Sequence, residues 1–118
     1  MPMEDLEVNE SILNSIKKLL GIAPDYTQFD ADLIMHINSV FMVLNQLGVG
    51  PPSPFVIQSS AEKWSAFMAN EGTSELVKSY MFLKVKLLFD PPQNGTLVQA
   101  MKDQIAEFEW RSNVFTGK

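Results

Sequence analysis

The sequence predicts an all-α protein, a compact bundle of four long helices plus one short helix. Three observations carry that expectation. Apolar residues return every three or four positions in several separate stretches, the spacing of one helix face. Gly21, Gly48 and Asp90-Pro91-Pro92 stand where such stretches end, and these residue types stop helices. The one segment that reads as extended, Phe55-Val56-Ile57, is too short to build a sheet.

Residues 1–10 form an acidic, flexible leader, residues 11–112 a single helical domain and residues 113–118 a C-terminal tail. Asn9 or Ser11 caps the first helix, in which Ile12, Leu13, Ile16, Leu19 and Leu20 fall at helical spacing. Lys17 and Lys18 occupy its last turn, where positive charge suits the helix dipole, and Gly21 is its left-handed stop. Asp30 is the expected N-cap of the second helix, about Ala31 to Leu47, which Gly48 ends. Leu33, Ile37, Val40, Phe41, Leu44 and Leu47 share one face of it, and Ile34, Met35, Met42 and Val43 fall outside that stripe.

The stretch from Val49 to Ser60 holds Gly50, Pro51, Pro52 and Pro54 and is the least helical part of the chain. Ser60 is the expected cap of a short helix carrying Trp64, Phe67 and Met68, interrupted by Gly72. Thr73 or Ser74 opens a helix through Phe89 that is apolar over most of its circumference, and so should be central and closely surrounded. Asp90-Pro91-Pro92 ends it. Thr96-Leu97-Val98-Gln99 has the form of a capping box and opens a last helix to about Ser112. Leu97, Met101, Ile105 and Phe108 face inward there, and Trp110 projects from the opposite side.

Composition narrows the function. The chain has 118 residues, room for one domain and no second. Without cysteine there is no disulfide scaffold, thiol nucleophile or Cys-based metal site, and one histidine rules out a multi-His site within the chain. Net charge is −5, with Glu4, Asp5, Glu7 and Glu10 in the leader; from Ser11 onward 10 acids face 9 bases. A nonspecific nucleic-acid binder needs a positive field, and this body has none. No apolar run approaches the length of a membrane span, and the acidic start MPMEDLEVNE is unlike a signal peptide. The expectation is a protein made and kept, or assembled, inside a cell.

Each chemical possibility has a plainer reading beside it. His36 with Asp32 and Ser39 sketches a triad, yet an i, i+4 surface pair accounts for the spacing. Asp25, Asp30 and Asp32 suggest a cation site, but EF-hand spacing is missing and helix capping explains two of them. Lys78, Lys84 and Lys86 offer phosphate or acidic-partner contacts, or simply cover a greasy helix with their stems. No Gly-rich phosphate loop, nucleophile elbow or zinc-protease motif is present. Surplus apolar surface is the stronger signal. Ile34, Met42 and Val43 on the second helix, Trp110 on the fifth, Val114 and Phe115 in the tail, and the stiff Pro51, Pro52 and Pro54 loop are the candidate subunit or partner contacts.

Three stretches carry a family resemblance: LLGIAPDYTQFDADLIMHINSVFMVLNQLGVGP from Leu19 to Pro51, VKSYMFLKVKLLFDPP from Val77 to Pro92, and KDQIAEFEWRSNV from Lys102 to Val114. Together they resemble the small head–tail connector proteins, also called head-completion or adaptor proteins, of long-tailed bacteriophages and prophages of Gram-positive bacteria. The likeness runs from about Ser11 to Val114, and the helix stopped at Phe-Asp-Pro-Pro is its most specific part. Where relatives are expected to carry an apolar residue, this chain has Ser112.

The resemblance implies a mostly helical protomer that assembles as a homo-oligomeric ring, commonly a dodecamer in the virion. It implies a place beneath the portal protein and above the next neck or tail-completion protein, with DNA passing through the centre during packaging and ejection without sequence-specific binding. It implies no enzymatic activity, no cofactor and no membrane, a virion location at the neck, and host cytoplasm during assembly. In such proteins the C-terminal helix or tail contacts the portal. A small packaging or tail-assembly chaperone and a helical DNA-binding regulator are the rival readings.

Overall fold

Ser11 shows how the first helix begins. In the computed structural model, which describes residues 10–68 and 71–116 (the backbone alone at 71–74 and 113–116), its hydroxyl accepts the Asn14 N–H at 3.2 Å and caps α1, Ile12–Leu20. Ile12, Leu13 and Ile16 bury one face. Gly21, with φ of 81°, ends the helix as expected. The Gly21 and Ile22 N–H groups close back on the Lys18 and Lys17 carbonyls, which satisfies two otherwise orphaned acceptors.

Helix α2, Asp30–Gln46, buries Leu33, Ile37, Val40, Phe41 and Leu44 of the expected stripe, whereas Leu47 lies just past the helix end and is half-buried. Asp30 is not its cap. It is the first helical residue, preceded by Phe29, and its carboxylate instead takes the Lys17 ammonium at 2.8 Å. A charged donor from another helix outcompetes the local backbone N–H groups. Lys17 itself is buried. Its three ammonium hydrogens go to Asp30 Oδ1, the Tyr26 carbonyl at 2.7 Å and the Pro24 carbonyl at 3.0 Å. A residue expected merely to complement a helix dipole thus ties down the whole α1–α2 connection.

The proline-bearing stretch after α2 is held by side chains. Asn38 both donates to the Ile57 carbonyl and accepts its N–H, at 3.0 and 2.8 Å, and Ile57 is buried. The Glu62 carboxylate accepts the N–H groups of Gln58 and Ser59. Slight burial raises its pKa, but these backbone donors and its own N–H outweigh that and hold it below the ordinary value. Lys63 pairs with Ser11 in an isolated antiparallel bridge, and the one-turn helix α3, Trp64–Phe67, starts directly afterwards. Ser60 therefore does not cap it: the bridge sets the start four residues later.

Helix α4, Glu71–Phe89, packs against α1, α2 and the last helix and is central as expected. It starts at Glu71, so Gly72 lies within it rather than interrupting it; a glycine in a first turn costs only about 1 kcal/mol. Val77, Tyr80, Met81 and Val85 are buried, but Leu76 and Leu88 are exposed, so the surround is incomplete. Helix α5, Gly95–Thr116, is capped by Asn94, whose Oδ1 accepts the Thr96 and Leu97 N–H groups at 2.9 and 3.1 Å. The expected capping box at Thr96 is displaced because Asn94, two residues earlier, satisfies two orphan donors with one oxygen. Met101 and Ile105 are buried and Phe108 packs on the core. Leu97 is exposed rather than inward, since it continues the stripe past the end of the core. The helix runs through Thr116, beyond the expected stop near Ser112, and Ser112 is itself buried.

Candidate assembly surface

The α4–α5 seam positions everything on this side of the molecule. Tyr80 and Phe108 stack with centroids 4.3 Å apart and planes 19° from parallel. The Tyr80 hydroxyl donates to Glu109 Oε2 at 2.6 Å, the same oxygen lies 3.8 Å from Lys84 Nζ, and that ammonium sits 5.9 Å from the Tyr80 ring centroid. Burial pushes the Tyr80 pKa up, and the hydrogen bond to Glu109 and its negative charge push it further, which favours the protonated phenol as donor.

Beside this seam runs a groove of about 590 Å³, with Val49, Leu76, Leu83 and Phe108 among its walls and Tyr80 beneath. Leu76 is 62% exposed there. On the face of α5 turned away from the core, Trp110 is 67% exposed, next to a polar strip where Gln99 donates to Asp103. The exposed Arg111–Glu107 pair, at 2.8 Å, forms part of the groove's polar rim on α5. An isolated exposed leucine is ordinary; a large indole and an apolar groove on one helix pair are the features of a protein-contact surface.

The other candidates are scattered. Met42 is exposed, Val43 is half-buried, and Ile34 packs partly onto the core. Pro52 and Pro54 are exposed, while Pro51 is half-buried with its carbonyl held by Asn45 Nδ2. The side chains of Val114 and Phe115 lie outside the described residues. The structure thus puts Trp110 and the α4–α5 groove on different sides of one helix, α5, and leaves the α2 and proline-loop candidates elsewhere. Sequence reading missed the groove because Leu76, Leu83 and Phe108 looked like core. The apolar circumference of α4 was the signal available.

The chemical sketches come apart. Ser39 Oγ donates to the Met35 carbonyl of its own helix, and the His36 ring sits edge-on to Phe89, 6.5 Å between centroids. Asp30 is engaged by Lys17, and among the described residues no group of three His, Cys, Asp or Glu side chains is placed to hold a metal. Lys78 pairs with Glu10 and Glu75, Lys84 with Glu109 and Lys86 with Asp90. No helix among the described residues is long and apolar enough to cross a membrane.

The aromatic cluster of Tyr26, Phe29 and Phe89, with centroids 5.6 and 5.2 Å apart in succession, was not foreseen either. Its order follows from the Lys17 latch on the Tyr26 carbonyl.

Comparison with curated proteins and with solved structures returns no match. A family model described as "Phage connector protein" matches residues 12–118, from the first residue of α1 onward. A chain whose described residues fold into helices, and which that family model matches over nearly its whole length, has a structural role at the phage neck: it belongs to the phage connector protein family.

Proposed function

We propose that the chain is the subunit of a head–tail adaptor ring, a dodecamer in the virion, that docks below the portal and above the next neck or tail-completion protein. DNA passes through the ring without being read. The exposed Trp110 on one side of α5, with the α4–α5 groove on another, is the observation that carries the assembly part. A ring requires two different faces on each subunit, and an indole on one side of α5 with an apolar groove on its flank meets that requirement. The family match supports the location. The pairing of Lys78, Lys84 and Lys86 with carboxylates supports a conduit that does not grip the duplex.

Ile34, Met42, Val43, Pro51, Pro52, Pro54, Val114 and Phe115 are proposed as secondary contacts around that primary surface. Assembly takes place in host cytoplasm before the particle is complete. Sedimentation of the purified protein with and without its portal tests the proposal. Co-sedimentation in ring stoichiometry is expected, and a protein that ignores the portal removes the ring. Presence in purified particles separates a structural part from a packaging or tail-assembly chaperone, which leaves before completion. A salt-dependent gel shift on duplex DNA would instead favour the regulator.

A further inference from the structure

A second cleft lies between α4 and α5, away from the groove described above. Lys84, Leu87 and Leu88 line it from α4, and Lys102 and Ile105 from α5, around a volume of about 250 Å³. Leu88 is 54% exposed, Lys102 is exposed and the Lys84 side chain is 28% exposed. Three aliphatic side chains therefore sit between Lys102 on one wall and Lys84 on the other, the Lys84 ammonium lying 3.8 Å from Glu109. Residues 1–9 of the same chain hold the complementary pattern: Leu6 stands between Asp5 and Glu7, with Glu4 before them and no base in the segment. This leader also lies outside the residues matched by the family model.

We infer that the acidic leader of one subunit docks in the Lys84–Lys102 cleft of a neighbouring copy, with Leu6 against Leu87, Leu88 and Ile105. Opposite charge and apolar fit point to this occupant. The anchor of the leader favours a neighbour over the near wall of its own subunit. Glu10 is fixed by its carboxylate on Lys78 at 3.2 Å and by its carbonyl, which accepts the Trp64 N–H. Lys78 and Lys84 are about 120° apart around α4. Buried Val77, Met81 and Val85 fill the arc between them, with α2 packed on that helix. Buried residues and α2 thus stand between Glu10 and Lys84, with the exposed Leu88 one turn further along the same arc. Nine extended residues span about 30 Å, and the Leu6→Asp comparison below separates a neighbour's cleft from the chain's own. The inference rests on the subunit reading, and it assigns the leader the work of an exchanged arm.

The test uses the isolated 118-residue protein and a synthetic peptide MPMEDLEVNE. Backbone amide NMR shifts should move at Leu87, Leu88, Lys102 and Ile105 on titration. Binding should weaken with salt, and about tenfold in a Lys84→Glu, Lys102→Glu variant. A peptide carrying Glu4→Lys, Asp5→Lys and Glu7→Lys should bind that variant better than it binds the wild type. No shift at the cleft, or binding indifferent to charge reversal, overturns the inference. In dilute protein, Leu6→Asp should leave the cleft resonances where they were; if they move, the leader occupies its own cleft and the exchange is wrong. None of these readouts involves the portal, so peptide binding with no portal association would sink the ring and keep the site. Portal association with no peptide binding would do the reverse.

Discussion

The indole N–H of Trp64 donates to Ser15 Oγ at 2.7 Å, across 49 residues of sequence and inside the core. Ser15 in turn donates to the Ile12 carbonyl at 2.9 Å, so its one hydroxyl both accepts and donates. Trp64 is fully buried. Removing the acceptor in Ser15→Ala strands a buried N–H, an expected loss of about 1–3 kcal/mol. Trp64→Phe in the Ser15→Ala background should recover part of the hydrogen-bond loss as a coupling of about 1 kcal/mol. Urea denaturation of the four proteins measures it, and additive effects would mean that the pair is not coupled.

Lys17 and Asp30 should not be equivalent. The ammonium is buried and serves three acceptors, whereas the Asp30 side chain keeps 26% exposure. Lys17→Met leaves two carbonyls and a carboxylate without their donor, an expected cost of about 3 kcal/mol. Asp30→Asn should cost less, because the ammonium keeps both carbonyls and the amide oxygen still accepts. Thermal unfolding ranks the two, and an equal or reversed ranking would remove the latch.

Tyr80 predicts an alkaline limit. Burial first, and Glu109 second, raise its pKa in the folded chain. A group that holds its proton more tightly when folded stabilises fully below its unfolded pKa, about 10, and that contribution declines as pH rises past it. Stability should therefore fall above about pH 10 in the wild type and fall less steeply in Tyr80→Phe. Tyrosinate absorbance followed together with circular dichroism checks it: the Tyr80 signal should appear with unfolding and not before.

Two glycines with positive φ should differ. At Gly21 a Cβ meets nothing within 4 Å, so Gly21→Ala costs only the left-handed backbone, about 1 kcal/mol. At Gly50, φ 96°, a Cβ would lie 2.5 Å from the Phe67 ring. That ring is wedged against Phe41 and Phe55 with centroids 4.8 and 5.4 Å away, so it cannot swing aside freely. Gly50→Ala should cost about 1–3 kcal/mol more than Gly21→Ala, from overpacking added to strain. Denaturation midpoints decide.

Trp110 should separate folding from assembly. An exposed side chain away from the core changes stability by less than about 0.5 kcal/mol when replaced. Trp110→Ala should thus leave the unfolding curve in place and abolish or sharply weaken association with neighbouring copies or the portal. An unchanged assembly profile would move the contact elsewhere on the subunit.

Much of the helical plan was legible in local chemistry. Gly21 and Gly48 end their helices because only glycine takes φ near 80° without strain, and Asp90-Pro91-Pro92 ends α4 because proline cannot extend the ladder. The stripe from Leu33 to Leu44 reads directly from its spacing, as does the outward side of α5 that carries Trp110. Where local rules competed with distant partners, the sequence was silent. Asp30 looks like a cap until Lys17 is beside it, and Ser60 looks like a helix start until Ser11 bridges Lys63.

By itself, then, the order of residues determined the number of helices among the described residues, most of their apolar faces and the absence of cysteine chemistry, because periodicity, stop residues and composition are properties of neighbours along the chain. The tertiary structure alone decided which apolar residues remain uncovered. Leu76 and Leu83 belong to the same greasy helix as Val77 and Met81, but the first pair lines a groove and the second pair lies buried. Burial depends on what packs opposite, and that is settled only when helices distant in sequence meet.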